Sequence, residues 1–434
     1  METSLIYPLH QHAWRLLRRL VKAMLLALRW TVVLLSVWLT VNGVPQSLAA
    51  QTQSLAVQAT ASDKLLIEMV YLQYQPERPP VLSNILPEPE DLGARGAELG
   101  IADNNSTGRF LKQDYRLHTV VETELEPLLV KAEALYQQGQ RFFITRLPAQ
   151  ALQQLSARLG PEVLIFNAGS SDDALRSQLC LPGVLHTLPS YAMKADALAQ
   201  WAVSRNWKKW LLIQGSRPED VAFATALKRS VQRFGLQLVA EKTWDYDTDL
   251  RRSAQTELVR FTQTDEYDLV VLADESGDFG EYVLYNTWLP RPVAGTQGLR
   301  PLGWHRVVEQ WGAAQLQNRF IKLAGRDMQE QDYAAWVAAR ALSEAVIQLK
   351  LKQPEQLQPA VIRNLLVDEH FELAAFQGRK LNFRPWSGQL RQPIPLVHPR
   401  ALVSQSPQEG FLHPRTELDT LGFDQPEVQC GANG

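Results

Sequence analysis

The stretch YDLVVLADESGDFGEY, residues 267–282, begins as an unbroken apolar run and breaks into a loop holding Asp274, Glu275, Asp278, Glu281 and two glycines. A short run this apolar, with no polar alternation, reads as a strand covered on both faces, which points to a parallel sheet with helices above and below. The acidic loop then falls at a strand's carboxyl end, where open parallel sheets gather their ligands. It could grip a metal, supply a catalytic acid or line a binding cleft.

The surrounding chain repeats the same unit. KLLIEMVYL from Lys64 reads as a strand, and PEDLGARGAELGIADNN as a helix closing at Asn104–Asn105. YRLHTVV, RFFITRL and EVLIFNAG read as strands separated by the helices EPLLVKAEALYQQG and AQALQQLSARLG, with Gly139 and Gly160 at helix ends. The pattern then restarts: KADALAQWAVSRN (helix), KKWLLIQ (strand) and GSRPEDVAFATALKRSVQRFG, a helix with a Ser216/Glu219 capping box and an apolar face of Val221, Ala224, Leu227, Val231 and Phe234. LQLVAEKTW, DLRRSAQTELVRFTQ and the opening strand follow. A strongly periodic helix, DYAAWVAARALSEAVIQLK, comes later, then two more strands and a Pro-rich tail. Strands alternating with helices of this length predict an α/β fold of two doubly wound parallel-sheet lobes.

Composition narrows the function. The chain has 434 residues, 45% hydrophobic and 21% charged, with a formal charge of -2, so the basic surface expected of a nucleic-acid binder is not foreseen. Residues 1–49 stand apart: Arg15, Arg18, Arg19, Lys22 and Arg29 precede the apolar WTVVLLSVWLTV, and Pro45, Ser47 and Ala49 follow in a cleavage-like pattern. This reads as a secretory signal peptide and predicts export to the periplasm, with an uncleaved anchor as the alternative. Cys180 and Cys430 would both enter an oxidising compartment, where they either pair or stay as two buried thiols.

Metal and nucleotide motifs are missing. DYDTD (245–249) opens like a calcium loop but puts Leu250 and Thr256 where Gly and Glu are needed. No zinc spacing, P-loop, G-x-G-x-x-G or G-x-S-x-G elbow occurs. Neither catalysis nor a cofactor is expected. The five short polar loops NAGSSDD, QGSRPED, DYDTD, ADESGDFG and AGTQG fall at strand ends and could face one crevice.

GARGAELGIADNN, FNAGSSDDALR, YDTDLRRSAQTELVRFTQTDEYDLVVLAD and DYAAWVAARALSEAV together resemble the periplasmic substrate-binding proteins of the branched-chain amino acid type. More narrowly, DESGDFGEYVLYNTW, GRDMQEQDYAAWVAARA, GRKLNFRPWSGQLRQPIPL and GFLHPRTELDTLG are similar to the branch associated with PQQ-dependent alcohol dehydrogenase systems. The resemblance implies lobes joined by a multi-strand hinge, a small organic ligand, an ABC permease in the inner membrane and, through the branch, a PQQ-dependent dehydrogenase as a partner. It divides the chain into a signal peptide (1–49), one lobe (62–190 with about 309–375), a second (191–308 with about 376–400) and an extended tail (401–434). Candidate ligand contacts are Asn167, Ser170, Ser171, Arg217, Asp274, Glu275 and Gln297. The loop RLPAQA replaces the serine run usual in amino-acid receptors, and GSRPED lacks the usual aromatic. A classical α-amino acid is therefore a poor fit, while Arg217 and Arg146 favour a carboxylate-bearing ligand.

Overall fold

The structure is a computed structural model that describes residues 64–77, 87–245 and 250–430. The signal-peptide expectation for residues 1–49, and Asp247 and Asp249 of the acidic DYDTD stretch, lie outside the described residues.

Two separate parallel sheets organise the chain. The first contains β1 (Leu65–Tyr74), β2 (Gln113–Glu122), β3 (Phe142–Arg146), β4 (Leu164–Asn167) and β5 (Val184–His186), in the order β2-β1-β3-β4-β5. Along β1, Ile67, Met69 and Tyr71 enter one core while Val70 and Leu72 enter another on the opposite face. That is the period-two alternation of a strand covered on both sides. The second sheet holds β6 (Lys209–Gln214), β7 (Gln237–Thr243), β8 (Leu269–Ala273) and β9 (Val293–Gly295), ordered β7-β6-β8-β9. All five residues of β8, the strand inside the opening stretch, are buried.

The helix Ala94–Leu111 runs past the expected stop at Asn104–Asn105. Two tertiary partners explain this. Asn104 is buried and donates to the Ala339 carbonyl (2.9 Å), while Asn105 exchanges two hydrogen bonds with the Tyr115 backbone, both 2.8 Å. With their side chains satisfied across the fold, neither asparagine competes for the local backbone. The same helix packs on Glu330–Gln348, which has buried residues all round its circumference. A Cβ on Gly96 would lie 1.8 Å from the Asp332 carbonyl oxygen, so the GARGAELG motif is a close-approach seam between two helices.

Three passes of chain connect the lobes: between Leu188 and Tyr191, Leu299 and Trp304, and Leu390 and Ile394, each pair divided between the two cores. They run side by side, joined by His186 N–H to Gly388 (2.8 Å), Leu302 N–H to Pro395 (3.1 Å) and Gln392 Nε2 to Thr187 (2.9 Å). The crossing expected near residue 376 comes later, because Leu381, Phe383 and Leu390 pack in the first lobe's core. Nor is the tail simply extended. β11 (Ala401–Ser406) pairs antiparallel with β10 (Ile394–His398), and Leu418 and Leu421 are buried.

Beyond β11 the tail touches both lobes. Buried Asp419 accepts from Arg384 and Arg391, beside first-lobe residues, at 2.8 Å each. The Gly422 amide donates to Asp196 of the second lobe (2.8 Å), which also holds Arg233 and Ser230 at 2.6 Å. Cys430 is disulfide-bonded to Cys180, with Cα atoms 5.4 Å apart.

Candidate functional site

The carboxyl ends of β3 and β4 in one lobe and of β6, β8 and β9 in the other carry the loops RLPAQA, NAGSSDD, QGSRPED, ADESGDFG and AGTQG. In the first lobe, Asn167 ends β4 and is fully buried. Its Oδ1 accepts the amides of Gly169 (3.1 Å) and Ser170 (2.9 Å), and its Nδ2 donates to the Ser170 carbonyl and to His186 Nδ1, both 2.9 Å. Every polar valence of Asn167 is used, so it shapes the loop and has nothing left for a ligand. His186 is held neutral, because burial pushes its imidazole well below the usual range.

Arg176, which the sequence reading overlooked, fixes this loop from behind. It is buried and donates to Gln389 Oε1 (2.5 Å) and to the carbonyls of Asp172 (2.7 Å), Ser170 (2.9 Å) and Leu188 (3.1 Å). Burial lowers its guanidinium to about 10. Ser170 also spends its hydroxyl on the Asp172 amide (3.3 Å). Ser171 keeps a hydroxyl with no hydrogen-bond partner among the described residues, although its carbonyl accepts the Tyr191 amide at 2.9 Å.

Burial raises the carboxyl of Asp173 to about 6, against the Ala192 amide (3.0 Å) and the Arg176 charge, which pull it down. A raised folded pKa means that folding takes up a proton here. The stabilisation is full below the unfolded value of 3.8 and is lost as pH rises through about 6. Asp173→Asn keeps an oxygen for the Ala192 amide and removes the titration. Melting temperatures measured from pH 4 to 7 are expected to show a smaller fall in the variant than in the parent protein. Parallel curves would remove this role from Asp173.

In the second lobe the acidic loop divides its labour. Asp274 is buried and accepts the amides of Asp278 (2.9 Å), Phe279 (3.0 Å) and Gly280 (2.6 Å), capping the short helix Gly280–Val283. Burial nevertheless raises its carboxyl. As a ligand contact, Asp274 is withdrawn by its own turn. Asp220 plays a similar part: its carboxylate accepts the amides of Glu275 (2.7 Å) and Arg217 (3.3 Å), so the helix Pro218–Arg233 is closed by Asp220 and not by the expected Glu219. Phe223 takes the buried place on this helix expected for Val221, which is exposed.

Arg217 does not wait for a carboxylate from outside. It pairs in two-pronged fashion with Asp278, Nε at 2.8 Å and Nη2 at 3.0 Å. Arg146 is likewise paired, with Glu88. Glu275 makes no hydrogen bond or ion pair through its carboxylate among the described residues and reaches solvent. Protein still crowds it, so desolvation raises its carboxyl, opposed by the Lys194 charge. Accessible to solvent yet flanked by protein, it has the surroundings of a cleft wall. Gln297 is half-buried, with its Cγ beside Gly280, and its amide is without a partner among the described residues.

Tyr191 joins the two sets of loops. Ser190 caps its helix (Tyr191–Ser204), accepting the Met193 amide at 3.2 Å, and so presents Tyr191 at the helix start beside the strand ends. The ring lies 5.4 Å from Phe223. Burial raises its phenol well above the usual range, and Glu275 and Glu219 of one lobe and Asp172 and Asp173 of the other push it further. Tyr191 thus lies between the lobes, its amide donating to the Ser171 carbonyl of the first at 2.9 Å and its ring beside Phe223 of the second. Close by, Lys194 and Glu330 form a buried ion pair across the lobes at 3.0 Å, with Glu330 also accepting the Gly303 amide (2.9 Å). Trp244 and Trp304 are core residues: Trp304 stacks on Tyr333 at 4.6 Å and Trp244 on Phe279 at 5.7 Å.

Comparison with known proteins agrees with this geometry. The family profile described as periplasmic binding protein matches residues 96–280. No curated protein sequence matches the chain. Among solved structures, a branched-chain amino acid ABC transporter periplasmic ligand-binding protein from Burkholderia xenovorans is similar at 14% identity, covering 85% of this chain and 100% of that one, with a TM-score of 0.64. A periplasmic binding protein from Burkholderia mallei gives 13%, 85%, 99% and 0.61. A solute-binding protein of an ABC transporter from R. palustris, in complex with benzoate, gives 13%, 77%, 92% and 0.56. The chain thus has the two-lobed α/β fold of the type I periplasmic binding proteins.

Proposed function

We propose that the protein is an exported, periplasmic receptor that encloses a small organic ligand between its lobes and delivers it to an ABC permease of the inner membrane. The observation that carries this reading is the pair of parallel-sheet lobes joined by three side-by-side passes of chain, with polar loops at the strand ends of both, an arrangement that suits a hinged cleft. The relatives' names, which include a ligand-binding protein of an ABC transporter and a benzoate complex, support it. The PQQ-associated branch resembled by DESGDFGEYVLYNTW and GRKLNFRPWSGQLRQPIPL supports a link to alcohol oxidation. In this role the protein binds its ligand and does not transform it.

A ligand present at one hundred times its Kd stabilises the folded state by about 2.7 kcal/mol, which for a chain of this size raises Tm by roughly 3 °C. A melt screen over alcohols, aldehydes, acids, amines and amino acids is expected to return at least one such shift. A flat screen would count against a receptor.

The tail favours a second reading in which the fold is kept and transport is not. Its contacts to Arg384 and Arg391 on one side and to Asp196 on the other tie the lobes together, as suits an accessory or sensor subunit docking on a periplasmic or membrane PQQ-dependent dehydrogenase. Co-purification with such a dehydrogenase, combined with a flat ligand screen, would select this reading over import.

A further inference from the structure

We propose that the cleft is built for an organic cation, an ammonium-bearing molecule, and not for the carboxylate that Arg217 and Arg146 suggest from sequence. This rests on the receptor reading and names the ligand class for the same cleft.

The charges that face the cleft decide the sign. Two arginines that could greet an anion are spent, Arg217 on Asp278 and Arg146 on Glu88. Lys194 is spent on Glu330 at 3.0 Å. Arg176 donates four hydrogen bonds to carbonyls and to Gln389 from a buried position, so its charge is felt but its N–H groups point into the loop. Besides Lys194, the cation acting on Glu275 among the described residues is Arg300, exposed at the edge of the hinge. Against these stand Glu219, Glu275, Asp172 and Asp173 around Tyr191, with Asp220 beside Glu275. Acids outnumber the free cations, and they come from both rims.

Two polar side chains of the second lobe keep oxygens without a hydrogen-bond partner among the described residues, and each can accept from a donor. Tyr191 is only 5% exposed, yet its hydroxyl has no partner among the described residues, and the next amide of its helix, that of Ala192, is held by the Asp173 carboxylate at 3.0 Å. Gln214 ends β6 on the face that carries Trp210 and Leu212 into the core shared with Tyr191. Its buried Oε1 accepts no hydrogen bond among the described residues. An unpaired buried acceptor of this kind costs about 1–3 kcal/mol. An ammonium N–H would satisfy such acceptors, would neutralise Glu275, and could rest on the Tyr191 ring face.

The acids are also too dispersed for a metal ion. Among the described residues, no three His, Cys, Asp or Glu side chains come close enough together to hold one. A larger cation with spread contacts fits where a point charge does not.

The test is calorimetric titration of the full chain with choline and putrescine as ammonium probes, and with benzoate and isovalerate, which carry a carboxylate and no amine, as the opposing probes. At least one ammonium probe is expected to bind measurably, with affinity falling as salt is raised. Glu275→Gln, at an accessible carboxylate without a partner, is expected to weaken that probe at least tenfold, and Tyr191→Phe several-fold, both with unchanged melting profiles. Ammonium binding insensitive to Glu275→Gln would overturn the assignment of the site. Binding of benzoate or isovalerate without either ammonium probe would overturn the ligand class and leave the receptor reading standing. A melt screen that is flat for every class would remove the receptor reading itself.

Discussion

Replacing Asp419 with alanine is expected to destabilise the protein by about 3–5 kcal/mol, the usual cost of stranding buried charges without their partner. Asp419 is 2% exposed and accepts from Arg384 Nε and Arg391 Nε, each at 2.8 Å. Burial alone would raise its carboxyl, but the Arg384 and Arg391 guanidinium groups outweigh that and hold it below the usual carboxylate range. Arg384 is itself 1% exposed and donates further to the carbonyls of Leu421 (2.7 Å) and Leu418 (3.1 Å). Without the acid, two guanidinium groups stay buried with only neutral acceptors. Asp419→Asn, which keeps one acceptor and loses the charge, should fall between the parent protein and alanine. Urea melts of the three proteins read this directly. The sign with pH is the reverse of Asp173: because its pKa is depressed, Asp419 contributes stability above the unfolded value of 3.8 and loses it as pH falls below. An alanine variant within 1 kcal/mol of the parent would show that the tail network contributes nothing to folding.

Reducing the Cys180–Cys430 bond is expected to cost about 2–4 kcal/mol, towards the upper end because the bridge closes a very long segment. The two cysteines are 250 positions apart in sequence. The bond removes freedom from the unfolded chain, and in the folded state it pins the last described turn to the loop behind Ser170 and Ser171. The Gln429 amide donates to the Ser177 carbonyl at 2.8 Å beside it. Cys430→Ser, or the parent protein in reductant, should therefore unfold at lower urea and lose protection from proteases first along 407–430. Equal midpoints for the oxidised and reduced proteins would refute the estimate. Since Asp419 and Cys430 act on the same tail, the double variant should lose less than the two separate losses combined.

Much of the architecture was legible because its signals are local. The apolar runs around Leu66, Phe143, Ile165, Leu212 and Val271 are strands because no polar alternation interrupts them, and helices of ten to twenty residues lie between. Two lobes followed from the restart of that pattern after Asn167. The helix stop at Asn104 was misplaced because Ala339 and Tyr115, distant in sequence, satisfy the asparagines. The crossing point near residue 376 was misplaced for a similar reason, since only packing says which core Phe383 joins.

The strand-end loops were legible in position and not in detail. Sequence alone determined that polar loops gather at the strand ends and that 274–278 is one of them. Only the tertiary structure decided which acid in that loop is free. Asp274 and Glu275 are neighbours with the same charge, but the turn aims three backbone amides at Asp274 and none at Glu275. Whether a carboxylate is consumed by its own backbone or left for a ligand depends on where amides point in space, and amide direction is a property of the folded turn that residue identity does not encode.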